Sequence, residues 1–341
     1  MGVLDNYLAL TTQQKQQVDA FNEERGRRFE AWREELIGEL RQALGGFPAE
    51  PADLEPAVIE NTRCDGYTRY RVEYTVETGL RCPAYVLVPD RSLANYPAVV
   101  ACHGHGYGSR DIVGLTPEGK DKEGDPGYQK NFAVELARRG LLVIAPEWVG
   151  FGDMRFDKDA AAKPSQSSCN RLSGTLLLMG RTTLGLRILQ LQRTLDYLET
   201  RADVDSKRIG IYGISGGGTI SAFGSILDER IRAVAISGYA NTFGGSILHV
   251  PHCICNFAPG LFNHADMPDY IGLIAPRPLL IESATEDKIF PIATSRSAVE
   301  RIREIYRAVG AEEQVVHDVF AGNHEISGRV AYDWLVRQLR G

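Results

Sequence analysis

RIGIYGISGGG, residues 208–218, reads as an apolar strand that runs into a serine and three glycines and on into the helix-forming stretch 217–227. A serine at the apex of a strand-to-helix turn, here Gly213-Ile214-Ser215-Gly216-Gly217, is the arrangement of a nucleophile elbow, with a strained backbone and an exposed hydroxyl. Glycines at 213 and 217 suit such a turn, because strand and helix backbones crowd together there. The plainer reading is a glycine-rich turn that packs a helix against a strand. The strand before it and the helix after it favour the elbow.

Outward from this point, short apolar runs alternate with helical stretches. The runs are PAVVAC (97–102), LLVIAP (141–146), RIGIYG (208–213), IRAVAIS (231–237), PLLIES (278–283) and QVVHDVF (314–320). Helices are predicted at 128–139, 181–200, 217–227, 294–309 and 325–340. Near-continuous aliphatic strands separated by helices predict an α/β fold, a mostly parallel sheet with helices on both faces. Right-handed crossovers would gather the carboxyl ends of the strands on one edge, where such sheets hold ligands. Upstream, Tyr70–Glu77 and Cys82–Val88 flank a turn at Thr78-Gly79 and predict an antiparallel pair.

Before these, Val18, Phe21, Trp32, Leu36, Leu40 and Leu44 recur at helical steps, and Gly45, Gly46 and Pro48 end the pattern. This predicts one helix over 11–44 inside an N-terminal helical extension, residues 1–69, ahead of a catalytic domain over 70–341. The extension is a candidate either for packing on its own domain or for joining two copies in a homo-oligomer. Two long stretches, 150–178 and 239–272, are predicted as irregular cover loops over the active edge.

The 341 residues are 43% hydrophobic and 24% charged, with a net charge of −6, which excludes fibrous and disordered classes. No basic block points to nucleic acid. No apolar run is long enough to span a membrane, and the first residues lack the pattern of a signal peptide, so the expected location is the cytoplasm. The six cysteines lack a framework spacing and are expected as reduced thiols.

A serine hydroxyl needs a base. With chain order serine, acid, histidine, the base is expected after the last strand, at His324 in AGNHE; His317 lies inside a strand and reads as structural. The acid is expected in the loop after PLLIES: Asp287, with Glu286 as its rival and Glu282 within the strand. A carboxylate there would fix the imidazole tautomer. Two amides should receive the developing oxyanion, those of Gly216 and of His105 in CHGHGYG (102–108), with Gly106 as the alternative to His105. His103 and His105, with His252, Cys253 and Cys255, can also be read as metal ligands. No C-x2-C or H-x3-H spacing supports them, so neither a metal nor a cofactor is expected. Glu147 and Trp148 are candidate substrate contacts, and Phe243, Phe257 and Phe262 are candidates for an acyl-pocket wall.

Together these residues resemble the α/β-hydrolase superfamily, and within it the dienelactone hydrolase and acetyl xylan esterase-like branch. The resemblance runs from about residue 70 to the end and rests on CHGHGYG, APEWVGFGD (145–153), the segment 180–218, LIAPRPLLIESATEDKIFP (273–291), HCICNFAPG (252–260) and AGNHE. It implies an α/β-hydrolase fold with an eight-stranded sheet, a Ser215–Asp287–His324 triad, an oxyanion hole at Gly216 and His105, and hydrolysis of a carboxylic ester. Dienelactone hydrolases carry cysteine where this chain has Ser215, and deacetylases of the branch usually carry glutamine where it has Gly216. The expectation is therefore a serine esterase acting on a small or sugar-like ester. The alternatives on the same fold are a serine peptidase, a carbon–carbon bond hydrolase, or an inactive binding protein.

Overall fold

The computed structural model describes residues 2–15, 17–48, 50–91 and 93–340. Nine strands form one mixed sheet: β1 (Ala57–Cys64), β2 (Tyr67–Glu77), β3 (Leu80–Pro89), β4 (Tyr96–Cys102), β5 (Leu142–Pro146), β6 (Val204–Ile214), β7 (Ile231–Ser237), β8 (Leu279–Ala284) and β9 (Val315–Phe320). Their order is β1-β2-β3-β5-β4-β6-β7-β8-β9. Strands β4 to β9 are mutually parallel, while β1, β2 and β3 join them through antiparallel pairings. The chain steps outward from β4 to β5 and then crosses back to β6. That reversal opens a crevice at the carboxyl ends of β4 and β6.

The strand beyond the expected eight is β1, which lies inside the segment read as a helical extension. Seven of its eight residues are exposed. An edge strand wet on both faces carries no apolar alternation, so the sequence pattern has nothing to show for it. Strand β2 begins at Tyr67, three residues before the run that predicts it.

The helix expected over 11–44 is three: Val3–Gln14, Glu23–Arg27 and Phe29–Leu44. The break has local and tertiary causes. The Asn22 side chain accepts from the Arg25 amide at 2.9 Å, starting a new helix. The Val18 and Asp19 amides donate to the carbonyls of Asn263 and His264, which docks the intervening chain on the body of the protein. Within Phe29–Leu44 the expected stripe is real: Trp32, Leu36, Leu40 and Leu44 are buried. Gly45, in the left-handed region at φ 93°, ends the helix, and a Cβ there would sit 2.4 Å from the Gly180 carbonyl.

The two stretches read as irregular carry short helices instead. The first holds Asp157–Ala160 and Cys169–Leu178; the second holds Leu261–His264 and Met267–Gly272. Their small size and mixed polarity hide them from periodicity. Among the described residues no helix is long and apolar enough to cross a membrane.

Candidate active site

Ser215 sits between β6 and the helix Gly216–Leu227 with φ 56° and ψ −120°, a conformation that costs a non-glycine residue of order 1–3 kcal/mol. The surroundings over-determine it. Its amide donates to the Ser237 carbonyl at 3.0 Å, and its carbonyl accepts from the Thr219 amide at 2.9 Å. The glycines allow the crowding expected of them. A Cβ on Gly213 would lie 2.3 Å from the Gly217 carbonyl oxygen, and one on Gly217 would lie 1.9 Å from that of Cys102. The helix therefore starts in backbone contact with β4, and the serine is held at the crevice.

His324 follows β9 and Asp287 follows β8, as their strands require. His324 Nδ1 lies 2.7 Å from Asp287 Oδ2. The other carboxylate oxygen of Asp287 accepts from the amides of Ile289 and Phe290 at 2.8 and 3.0 Å. The carboxylate is thus held from both sides, leaving the imidazole Nε2 free to face the crevice. The His324 ring is stacked between Tyr128, with centroids 5.9 Å apart, and Phe290, at 5.7 Å. Gly238 closes beneath it, where a Cβ would lie 3.0 Å from the ring. No sequence motif marks Tyr128 or Gly238; Phe290 stands three residues from Asp287 and was within reach of the reading.

Glu282 is not a rival acid. It is buried in β8, accepts from the Tyr212 hydroxyl at 2.7 Å and from the Gly328 amide at 2.9 Å, and so ties down the loop that carries His324. Burial holds its carboxyl above the usual range. Glu286 is exposed. His317 hydrogen-bonds Ser283 at 3.1 Å inside the sheet.

The Gly216 amide, first in its helix, has no intrahelical acceptor. Among the described residues the His105 amide donates to no protein acceptor. The His105 loop is fixed by other contacts. The Tyr128 hydroxyl donates to the His105 carbonyl at 2.5 Å, and burial pushes that phenol up, so it remains a donor. The His105 ring lies against Gly216, where a Cβ would come within 3.0 Å of Nδ1. That close approach accounts for glycine after the serine. Burial, with the Arg187 charge second, lowers His105 to about 4 and keeps the ring neutral.

Glu147 and Trp148, expected as substrate contacts, are instead sealed beneath this loop, at 0% and 1% exposure. Glu147 accepts from the Ser109 amide at 3.1 Å and the Ser109 hydroxyl at 2.9 Å, and lies 3.1 Å from His103 Nε2. Gly108 and Gly152 cradle its carboxylate: a Cβ on either would lie within 2.2 Å of it. The two residues miss the substrate because β5 ends at Pro146 and the chain turns under the β4 loop before reaching the surface. The expected phenylalanine wall is also absent. Phe243 and Phe262 pack on each other, 5.9 Å apart, and Phe257 is partly exposed. A cavity of about 430 Å³ is lined by Ser215, His324, His105, Tyr128, Phe290, Ile289, Pro251, His252, Cys253 and Asn256.

A sheet with this strand order, and a cavity lined by a serine at a strand-to-helix elbow and by a histidine paired with Asp287, accord with the model of the abhydrolase family, which matches residues 2–317. The chain belongs to the abhydrolase family. YtaP of Bacillus subtilis (strain 168), a protein named as a hydrolase, is 27% identical over 296 residues, covering 82% of this chain and 90% of YtaP. Among solved structures, a protein assigned as an acetyl xylan esterase from Bacteroides fragilis NCTC 9343 superposes with a TM-score of 0.83 at 17% identity, covering 100% of this chain and 95% of that one. A glucuronoyl esterase from Solibacter usitatus superposes with a TM-score of 0.65 at 16% identity, covering 90% of each chain. At these identities the superpositions establish the fold that this abhydrolase shares with them.

Proposed function

We propose that this abhydrolase is a serine carboxylic-ester hydrolase that removes acetyl or another short acyl group from a small or sugar-like alcohol. The observation that carries the proposal is the 2.7 Å His324–Asp287 pair at the cavity lined by a strained Ser215. His324 takes the Ser215 proton as Oγ attacks the ester carbonyl. The amides of Gly216 and His105 receive the oxyanion, and Asp287 stabilises the imidazolium. The alcohol departs with the proton held by His324, leaving an acyl-serine. Water, deprotonated by the same histidine, then releases the acid and restores the hydroxyl. The apolar Ile289, Phe290 and Pro251 form the wall that a short acyl chain would touch. The esterases among the structural relatives favour ester over peptide substrates. A cytoplasmic location goes with this reading, since small esters rather than polymeric xylan would be met there.

Hydrolysis of p-nitrophenyl acetate, butyrate and octanoate and of an acetylated xylo-oligosaccharide, by wild type and Ser215→Ala, tests it. The expected result is turnover that favours short chains and falls by orders of magnitude in the variant. Undiminished activity in Ser215→Ala would remove the serine from the mechanism, and inactivity of the wild type on every ester would remove the ester.

A further inference from the structure

Three of the six cysteines, Cys169 and the Cys253–Cys255 pair some 84 residues further on, converge on the His105 ring. Cys169 opens the helix Cys169–Leu178 in the first cover stretch, and Cys253 and Cys255 lie in the second. Their three sulfurs and a ring nitrogen of His105 all fall within 4.8 Å of one another. Cys255 Sγ is 3.5 Å from His105 Nε2 and 3.2 Å from Cys253 Sγ. A tetrahedral zinc ion with bonds of about 2.3 Å to sulfur and about 2.0–2.1 Å to nitrogen sets ligands roughly 3.8 Å apart sulfur to sulfur and roughly 3.5 Å apart sulfur to nitrogen. The cluster is already close to that size.

A second observation comes from charge. Arg187 is buried, at 2% exposure, and its Nη2 lies 3.2 Å from Cys169 Sγ. It also donates to the Val149 carbonyl and faces the Cys255 thiol, and among the described residues no carboxylate pairs with it. A buried guanidinium calls for an anion. Three thiolates and a neutral imidazole around a divalent cation leave one net negative charge, placed against this arginine.

We propose that Cys169, Cys253, Cys255 and His105 Nε2 bind a thiophilic divalent cation of the zinc type in a closed, four-ligand structural site. Binding releases the three thiol protons to solvent, and no redox change is involved. The site joins the loop that offers the His105 amide to both cover stretches. Its effect on the reaction would be positional, by way of His105. The sequence hides it because its ligands come from three separate segments, and the one close pair, Cys253-Ile-Cys255, lacks the C-x2-C spacing.

The test uses the full chain, purified under reducing conditions from zinc-supplemented cells. Bound zinc is measured by mass spectrometry of the elements, and Co²⁺ is added to chelator-stripped protein. The expected result is a stoichiometric metal ion and, with Co²⁺, thiolate charge-transfer bands together with the intense visible bands of tetrahedral cobalt. Cys255→Ser and Cys169→Ser should lose both signals, while Cys64→Ser, on β1, should keep them. Stripping should lower the melting temperature of the wild type, and a thiol reagent should then label three more cysteines. The proposal falls if reduced, folded wild type retains no metal and gives no charge-transfer band. It falls equally if the unreduced protein is lighter by two hydrogens with two of these cysteines joined. Ser215→Ala should bind the metal as the wild type does, so failure of the ester reading would leave this result standing.

Discussion

Glu147→Gln distinguishes a buried clamp from a substrate contact. The carboxylate accepts from the Ser109 amide and hydroxyl and lies beside His103, in a cradle with no room for water between Gly108 and Gly152. Glutamine fills the same volume but turns one acceptor into a donor, which must either face the Ser109 amide or compete with the Trp148 amide for His103 Nε2. The variant loses one charge-assisted hydrogen bond and leaves one buried donor unpaired, about 2–3 kcal/mol in all. At ~2.1 cal/mol/K per residue, 341 residues give an unfolding entropy near 0.7 kcal/mol/K, so the melting temperature should fall by about 3–4 °C. Complete loss of one oxyanion donor costs about 10²–10³ in kcat, and a loosened His105 loop should cost roughly tenfold, with KM nearly unchanged. Thermal denaturation and p-nitrophenyl acetate kinetics on one preparation read both quantities. An unchanged melting temperature with a raised KM would refute the clamp and return Glu147 to the substrate.

Three further outcomes follow from the geometry. Asp287→Asn, which keeps the shape but weakens the hold on His324 Nδ1, should lower kcat by about 10³–10⁴ with little change in KM on short esters. Gly238→Ala should lower kcat more than tenfold and cost about 1–2 kcal/mol in denaturant melts, because φ is 51° and the new methyl would press on the His324 ring; a fully active variant would show that the ring has room to spare. Burial, aided by the charges of Arg303 and Arg296, lowers His317 to about 4 from its ordinary 6.5. The unfolded chain therefore takes up this proton first. The stability tied to the neutral ring is fully present above about pH 6.5 and is lost as pH falls toward 4. His317→Asn should flatten the dependence of melting temperature on pH in that window, and an unaltered curve would place the acid sensitivity elsewhere.

The parallel half of the sheet was legible because β4 to β8 are buried on both faces and announce themselves as continuous aliphatic runs. Ser215, Asp287 and His324 were singled out because each stands just past the end of a strand, β6, β8 and β9 in turn, and the structure brings His324 and Asp287 within 2.7 Å of each other. What escaped lacked a one-dimensional signal. Strand β1 is wet on both faces, and the break at Asn22 depends on bonds to residues some 240 positions away. Trp148 is a candidate substrate contact by its place in the loop after β5; its burial follows from the turn of the chain beneath the β4 loop. Tyr128 and Phe290, which stack on His324 from opposite sides, are brought together by tertiary structure alone.

Because the helix after Ser215 meets the sheet through peptide groups rather than side chains, Gly213 and Gly217 admit one amino acid each. No compensating change elsewhere can make room where the neighbouring atom is a carbonyl oxygen about 2 Å from the missing Cβ. The position of Ser215 is thereby a property of the sheet itself. Natural or laboratory variation that retunes such an enzyme must act through the walls of the crevice, and Ser215 stays put while its substrates change.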